Sequence, residues 1–557
     1  MRILAIFPRE PEDWQTLDLL QADYLTSVFV LPEVAVPWDR ISAGGKIRRV
    51  SRAELSHASR EELRKAPPDT VLWFGRLCSK EAWKFLRELI RLAPDSLLTV
   101  ALGKSHSQRQ HLEGLLLRIG LWLRVIDYVV IGPGTVRIPN KLDLQRYSIL
   151  QGETLTTLLQ KRVLAHQRSV LWVDPNLTAR SPSMRSLVHS VSSLSADGWS
   201  VRGLCYGHQQ NDTPLEATVL PKLPLPPALS LIEFFIACNL YRFIQTGLFR
   251  RRPARIVHTT CGYDLQADLV SIHFCQKRWI SFNAALQVRS LRDWAALQLS
   301  RIYAVLERLQ LRSRHVRLLL PVSRAIGEAA RETHGTSVPQ IVLPNAFDES
   351  QFNIAARQRY RESVRLELGF GEDVTVFAFT SYGHYRRKGF WLIVDALRIL
   401  QRRNDLLLLV IGGSPPNLDR LKRDLCKIFP SFLQVIVFVG LTDHVERYLA
   451  AADAFLFPSY FEAFCLAEIE AAAMGLPLLV TRHPGTEMIV RPGKNGLFLE
   501  ADPCDIADKM QRFAAKEFVF EVPETGEALT REKFAQRVAS IYESFLNERV
   551  AVRGPPE

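Results

Sequence analysis

Along most of the chain, short apolar runs alternate with longer stretches whose apolar residues recur at helical spacing. That alternation is the pattern of parallel sheets with crossover helices. From the N-terminus it predicts strands at RILAIF, SVFVL, TVLWF, LLTVAL and DYVVI, separated by segments such as SKEAWKFLRELIRLA. A second series opens at SVLWVDPNL and runs through a helix at MRSLVHSVSSLSADG, a strand at SVRGLCY, an apolar helical segment at 228–249, and strands at RIVH, LVSIHF, LLLPVS and QIVLPN. The polar stretch AARQRYRES reads as a linker. A third series then follows from Val374, with strands VTVFAFT, LLLLVIGG, VIVFVG, AFLFPS and LPLLVT between helices. The expected fold is α/β: two tandem Rossmann-like domains at 165–355 and 356–548 facing a cleft, preceded by an accessory α/β domain at 1–160 and followed by a tail at 549–557. In open sheets of this kind ligands bind beyond the carboxyl ends of the strands.

Composition narrows the partners. The hydrophobic fraction of 47% and charged fraction of 23% exclude disordered, collagenous and coiled-coil classes. Lys plus Arg outnumber Asp plus Glu by 71 to 58, a net charge of +13, which favours an anionic partner such as a nucleotide diphosphate or an anionic membrane. Nucleic acid is not expected. The eight cysteines are scattered without a Cys-x-x-Cys pair, which speaks against a zinc module or a disulfide framework and for a reducing cytoplasm. The N-terminal MRILAIFPREPEDW reads as a first strand rather than a signal peptide. No uninterrupted 18-residue apolar stretch occurs, so no spanning helix is expected. In the first 160 residues the third strand ends in Trp73-Phe74-Gly75-Arg76, without the Asp of a phospho-receiver domain, and no chemistry is assigned there.

Candidate chemistry concentrates in two segments. In Pro458–Gly475 a helix starting near Cys465 is apolar nearly all round, as in a helix buried on several sides. Glu468 and Glu470 lie about 200° apart on it, so one enters the packed side, where a ligand hydroxyl would satisfy its carboxylate. In the second segment Arg386, Arg387 and Lys388 stand together before the helix FWLIVDALRIL, where they oppose the helix dipole unless an anion lies between. No two Asp are separated by one position, and no His/Cys spacing suggests a metal site, so neither metal nor other cofactor is expected.

The first segment resembles the Glu-x7-Glu signature of glycosyltransferase family 4, with Glu462 and Glu470 at the matching spacing. The second is similar to the family's Arg-x5-Lys-Gly pattern at Lys388-Gly389, with Tyr382 where the arginine falls and Arg386 or Arg387 left to supply the charge. Gly412-Gly413, Val439-Gly440, Pro484–Glu487 and Gly493–Gly496 follow in the family's order, and Pro344–Asp348 resembles its hinge segment. The resemblance implies a GT-B fold and a retaining, metal-independent hexosyltransferase. Such an enzyme moves sugar from a nucleotide-diphosphate sugar to a glycan or lipid-linked acceptor in polysaccharide or glycolipid biosynthesis. It further implies that Glu462 contacts the transferred sugar, that Glu470 accepts hydrogen bonds from the donor ribose, and that the amides of Phe464, Cys465 and Leu466 meet diphosphate oxygens. His273, ending LVSIHF, stands where the family places a histidine close to the donor sugar, and His258 fits less well. Glu468 is expected to point away. The family's glycine-rich first loop has no counterpart, since residues 175–182 contain no glycine. An epimerase or phosphorylase of the same architecture, and a catalytically silent nucleotide-binding scaffold, are the rival readings. A cytoplasmic protein with peripheral contact at the inner membrane face is the expected setting, the contact made by residues 228–249 with their arginine cluster.

Overall fold

The computed structural model describes seven strands within residues 1–166, and residues 167–553 apart from 180, 182, 209–214, 227–228, 249–251, 253, 286–290, 401–402, 404 and 522–528. The seven N-terminal strands are Ile3–Ile6, Leu25–Val30, Lys46–Arg49, Thr70–Phe74, Leu97–Leu102, Tyr128–Ile131 and Tyr147–Ile149, all parallel. Counted along the chain they lie in the order 3-2-1-4-5-6-7. Five match the apolar runs. The two that the pattern missed, Lys46–Arg49 and Tyr147–Ile149, are the two edges, where a strand has a neighbour on one side only and needs no continuous apolar run.

The second sheet comprises Ser169–Val173, Ser200–Cys205, Glu216–Val219, Ile256–Thr260, Leu269–Ile272 and Leu318–Pro321; the third comprises Thr375–Thr380, Leu406–Ile411, Ile436–Gly440, Ala454–Phe457, Leu478–Thr481 and Gly496–Leu499. Each has the order 3-2-1-4-5-6, the doubly wound arrangement, so two Rossmann-like halves follow one another as expected. Central strands such as Ile256–Thr260 and Ala454–Phe457 are buried along their whole length, which explains their unbroken apolar runs. Two readings need correction. QIVLPN is not a strand of the sheet, because Gln340 makes only an isolated bridge to Leu319; the additional strand is the polar edge Glu216–Val219. AARQRYRES is not a linker but part of helix Ile354–Glu367, opened by an Asn353 side chain that accepts from the Ala356 amide at 2.7 Å. Arg357, Arg361 and Arg365 share one face of this helix. They donate to the carbonyls of Gly475, Ala452 and Ala451, and Arg361 and Arg365 also pair with Asp453. The charge that mimics a linker therefore fastens this helix to the third sheet.

The last helix, Arg531–Arg553, returns to the second sheet and packs along helix Arg185–Ala196. Its Tyr542 hydroxyl is 2.9 Å from Trp172 Nε1 and 2.7 Å from His258 Nδ1. His258 also reaches Ser271, so this buried histidine is a core residue. One apolar core spans both halves, and a second fills the space between the second sheet and the final helix.

Candidate functional site

In the third sheet the strand order reverses between its first strand, Thr375–Thr380, and its fourth, Ala454–Phe457, which pair directly. The loops leaving these two strands, 381–389 and 458–465, therefore start side by side at the switch point where open sheets bind ligands. Backbone and side chain lace them together. Tyr460 N and Ser459 Oγ donate to Arg387 O, at 2.9 and 3.3 Å, and the Arg387 guanidinium donates to Phe461 O at 2.6 Å. Gly389 makes the approach feasible: its φ is +74°, and a Cβ there would meet Pro458 O at 1.8 Å.

Helix Leu466–Ala473 opens from the second of these loops. Cys465 at its N-cap is extended and its side chain makes no capping bond. The first amides of a helix lack intrahelical acceptors, so the start of this helix offers donors that its own side-chain cap does not satisfy. Lys388 lies with Nζ 5.0 Å from the Phe457 ring centre and 3.4 Å from Thr380 O, without a carboxylate partner among the described residues. Its charge acts on Cys465, Glu468 and Glu470. The other two cations go elsewhere. Arg387 pairs with Glu462 Oε1 at 3.0 Å, and Arg386 is exposed.

The three glutamates have distinct surroundings. Glu462 is held by Arg387 at the rim of the loop. Glu470 faces the cleft, where Arg185 NH1 reaches its Oε1 at 3.2 Å from the opposite half. Burial pushes its pKa up to about 7, against the pull of Arg185, Lys388 and Arg531. Glu468 leaves the helix on the side opposite Glu470 but does not reach solvent. It is fully buried, and its Oε1 lies 2.6 Å from His483 Nε2. Burial raises the Glu468 carboxyl; burial alone would lower His483, and Glu468 more than restores it. The helix is covered on both faces, by the 481–486 turn and by the other half, so two glutamates on opposite sides can both be inside.

His273 follows strand Leu269–Ile272. Both its ring nitrogens are buried with no hydrogen-bond partner among the described residues, and burial pushes its pKa down to about 4, so the ring is neutral near pH 7. Phe274 and Trp279 pack on Phe461 with ring centres 5.4 and 5.5 Å apart, and Ser323 Oγ donates to Ala463 O at 3.2 Å. The segment carrying His273 thus docks on the loop carrying Glu462. Arg185, His483, Phe274 and Trp279 escaped the sequence reading. Each acts across a distance in sequence, and no local spacing marks such a residue.

Residues 374–516 match the family model described as glycosyl transferases group 1. Similar curated proteins include an uncharacterized glycosyltransferase of Methanocaldococcus jannaschii, 27% identical over 32% of this chain and 46% of that protein. Others are the mannosylfructose-phosphate synthase of Agrobacterium fabrum, 30% identical over 30% of this chain and 37% of that protein, and a D-inositol 3-phosphate glycosyltransferase of Corynebacterium kroppenstedtii, 30% identical over 31% and 39%. The chain spans less than half the length of these relatives. Among solved structures, sucrose-phosphate synthase from Thermosynechococcus elongatus superposes with a TM-score of 0.53 at 19% identity, covering 68% of this chain and all 100% of that one. WaaG, a glycosyltransferase involved in lipopolysaccharide biosynthesis, gives 0.50 at 18%, covering 67% and 99%. The two tandem halves share the GT-B fold of these neighbours, and the third sheet lies within the residues that match the glycosyl transferases group 1 model.

Proposed function

We propose that the protein is a retaining, metal-independent hexosyltransferase that moves a sugar from a nucleotide-diphosphate sugar to a glycan or lipid-linked acceptor in the cytoplasm. The observation that carries this reading is Lys388 beside the uncapped start of helix Leu466–Ala473, with Glu470 one turn further along it facing the opposite half. A cation and free amides neutralise a departing diphosphate, and the carboxylate grips ribose hydroxyls. Glu462 and His273 flank the transferred sugar, the first as an anion and the second as a neutral hydrogen-bonding group. The family match at residues 374–516 supports the donor side.

A panel of nucleotide sugars tests the proposal, because a ligand that binds only the native state raises its melting temperature. At least one is expected to do so and to be turned over. A shift without turnover would favour the silent scaffold, and no shift at all would sink the donor site. Glu470→Gln should weaken donor binding by about 1.5–3 kcal/mol, the scale of a hydrogen bond to a charged group. Since only the ionised carboxylate accepts from both ribose hydroxyls, and its pKa sits at about 7, the donor KM of the unmodified enzyme should fall as pH rises through that value. The Glu470→Gln profile should be flat there. A wild-type KM independent of pH would contradict the role.

For a lipid-linked acceptor the supporting observation is an exposed stripe, Ile236, Leu240 and Phe243, on helix Ser230–Phe243, at the spacing of one helical face. The sequence places Arg250, Arg251 and Arg252 beginning seven positions after Phe243, suited to anionic headgroups. The protein is expected to float with phosphatidylglycerol vesicles at low salt and less so at moderate salt, and Ile236→Asp with Phe243→Asp should remain in the pellet fraction. Absence of co-migration at both salt levels would end the idea. No described helix is long and apolar enough to cross a membrane.

A further inference from the structure

Behind the segment that carries His273, three buried side chains from three elements converge. Cys275 precedes helix Gln276–Ala285, Glu307 lies near the end of helix Leu291–Leu311, and His334 closes helix Arg324–His334. His334 Nε2 is 3.4 Å from Glu307 Oε2 and 4.0 Å from Cys275 Sγ, and the three donor atoms lie within 4.8 Å of one another. Ordinary zinc bond lengths at tetrahedral angles put a nitrogen and an oxygen ligand about 3.4 Å apart, and a nitrogen and a sulfur about 3.6 Å apart. We propose that Cys275, Glu307 and His334 bind one zinc-class divalent cation, and that this cation staples the three helices behind the cleft.

Charge and chemistry agree with the spacing. A thiolate and a carboxylate balance a doubly charged ion, and a neutral imidazole completes a donor set of no net charge with the metal, which suits a buried place. Without a cation His334 and Glu307 form an ion pair, and an incoming ion displaces the proton that His334 holds. Burial holds the Glu307 carboxyl above its ordinary value. Burial would lower His334, yet Cys275 and Glu307 together bring it up to about 9. Cys261 stands within electrostatic reach of Glu307 and Cys275, its thiol raised first by burial and then by these two, but it lies outside the group of three ligand atoms. His334 Nδ1 lacks the acceptor that most metal-bound histidines have, which sets the affinity below that of fully supported structural sites. The three ligands stand far apart in sequence, so no spacing motif reveals them. The consequence is local: the cation fixes Cys275, and with it Phe274 and His273, against the loop of Glu462.

The staple is tested on the full chain without substrate, so its test does not depend on the transfer reaction. After equilibration with zinc or cobalt(II) and removal of excess metal, the protein is expected to retain an equimolar amount, to melt at a higher temperature than the chelator-treated form, and to show thiolate-to-cobalt charge transfer. A variant with the two cysteines that are exposed among the described residues replaced, Cys426→Ser with Cys504→Ser, should keep all three signals. Cys275→Ser should lose the charge-transfer band. Should that variant fail to fold, Glu307→Gln keeps the thiol and is expected to bind cobalt at least about tenfold more weakly. Absence of the band in the folded wild type, its persistence in Cys275→Ser, or unchanged affinity in Glu307→Gln would each overturn the assignment and leave the trio as a hydrogen-bonded acid–base pair with a thiol neighbour.

Discussion

Lys388→Ala is expected to lower kcat/KM for the donor by about 2–4 kcal/mol, the scale for losing one fixed electrostatic contact to a developing anion. That is roughly a 30- to 900-fold loss. The argument rests on where the three neighbouring cations go. Arg387 is engaged by Glu462 and by the Phe461 carbonyl, and Arg386 is exposed, so Lys388 alone lies against the helix start. Its stem also covers Phe457, so part of any effect could be packing; measured melting temperatures separate the two, because lost packing lowers stability whereas lost transition-state charge does not. If this charge serves the departing diphosphate, no added metal is needed, and donor turnover is expected to proceed without magnesium or manganese in the assay. A strict requirement for either, or a Lys388→Ala enzyme within about threefold of wild type, would refute the role.

Glu462→Gln should reduce the rate at saturating donor by about 10²-fold while changing the donor KM little. The substitution keeps the shape and removes the charge that opposes positive charge building at the anomeric carbon. Only an interaction that strengthens in the transition state affects the rate in this way. The Arg387 guanidinium already lies 3.0 Å from this carboxylate before substrate arrives. Glu468→Gln is the contrast: buried on His483, it should cost stability before it costs rate. If Glu462→Gln left the rate unchanged while Glu468→Gln abolished it at unchanged stability, the roles assigned along this helix would be wrong.

Much of the architecture was legible because a central parallel strand must be apolar along its whole length, and such runs stand out. Charged edge strands were not legible: Lys46–Arg49 and Glu216–Val219 carry charge that a one-sided neighbour tolerates, whereas the apolar edges Leu318–Pro321 and Ile436–Gly440 were read. The arginines of helix Ile354–Glu367 misled for a related reason, since a basic run looks solvated until the carbonyls it serves are known. Within the site, the family resemblance was what singled out Lys388, Glu462 and Glu470, since the residues alone left the three cations and the two helix glutamates undivided. What it could not supply was direction. Glu468 turned inward to a histidine fifteen positions away, and Glu470 met Arg185 from the other half.

The return of the last helix to the second sheet means that the chain crosses between the halves twice, and the two crossings are tied to each other. Phe347 N donates to Leu529 O at 3.0 Å, and Arg531 pairs with Asp348 at 2.6 Å. A single tether would let one half swivel and slide freely over the other. Two bound side by side act like a pair of pins on one edge of a door, leaving rotation about that edge as the inexpensive motion. Such a door opens widest at the far side and least beside the pins, so the face of the cleft opposite the double crossing is the natural route for large substrates to enter and leave.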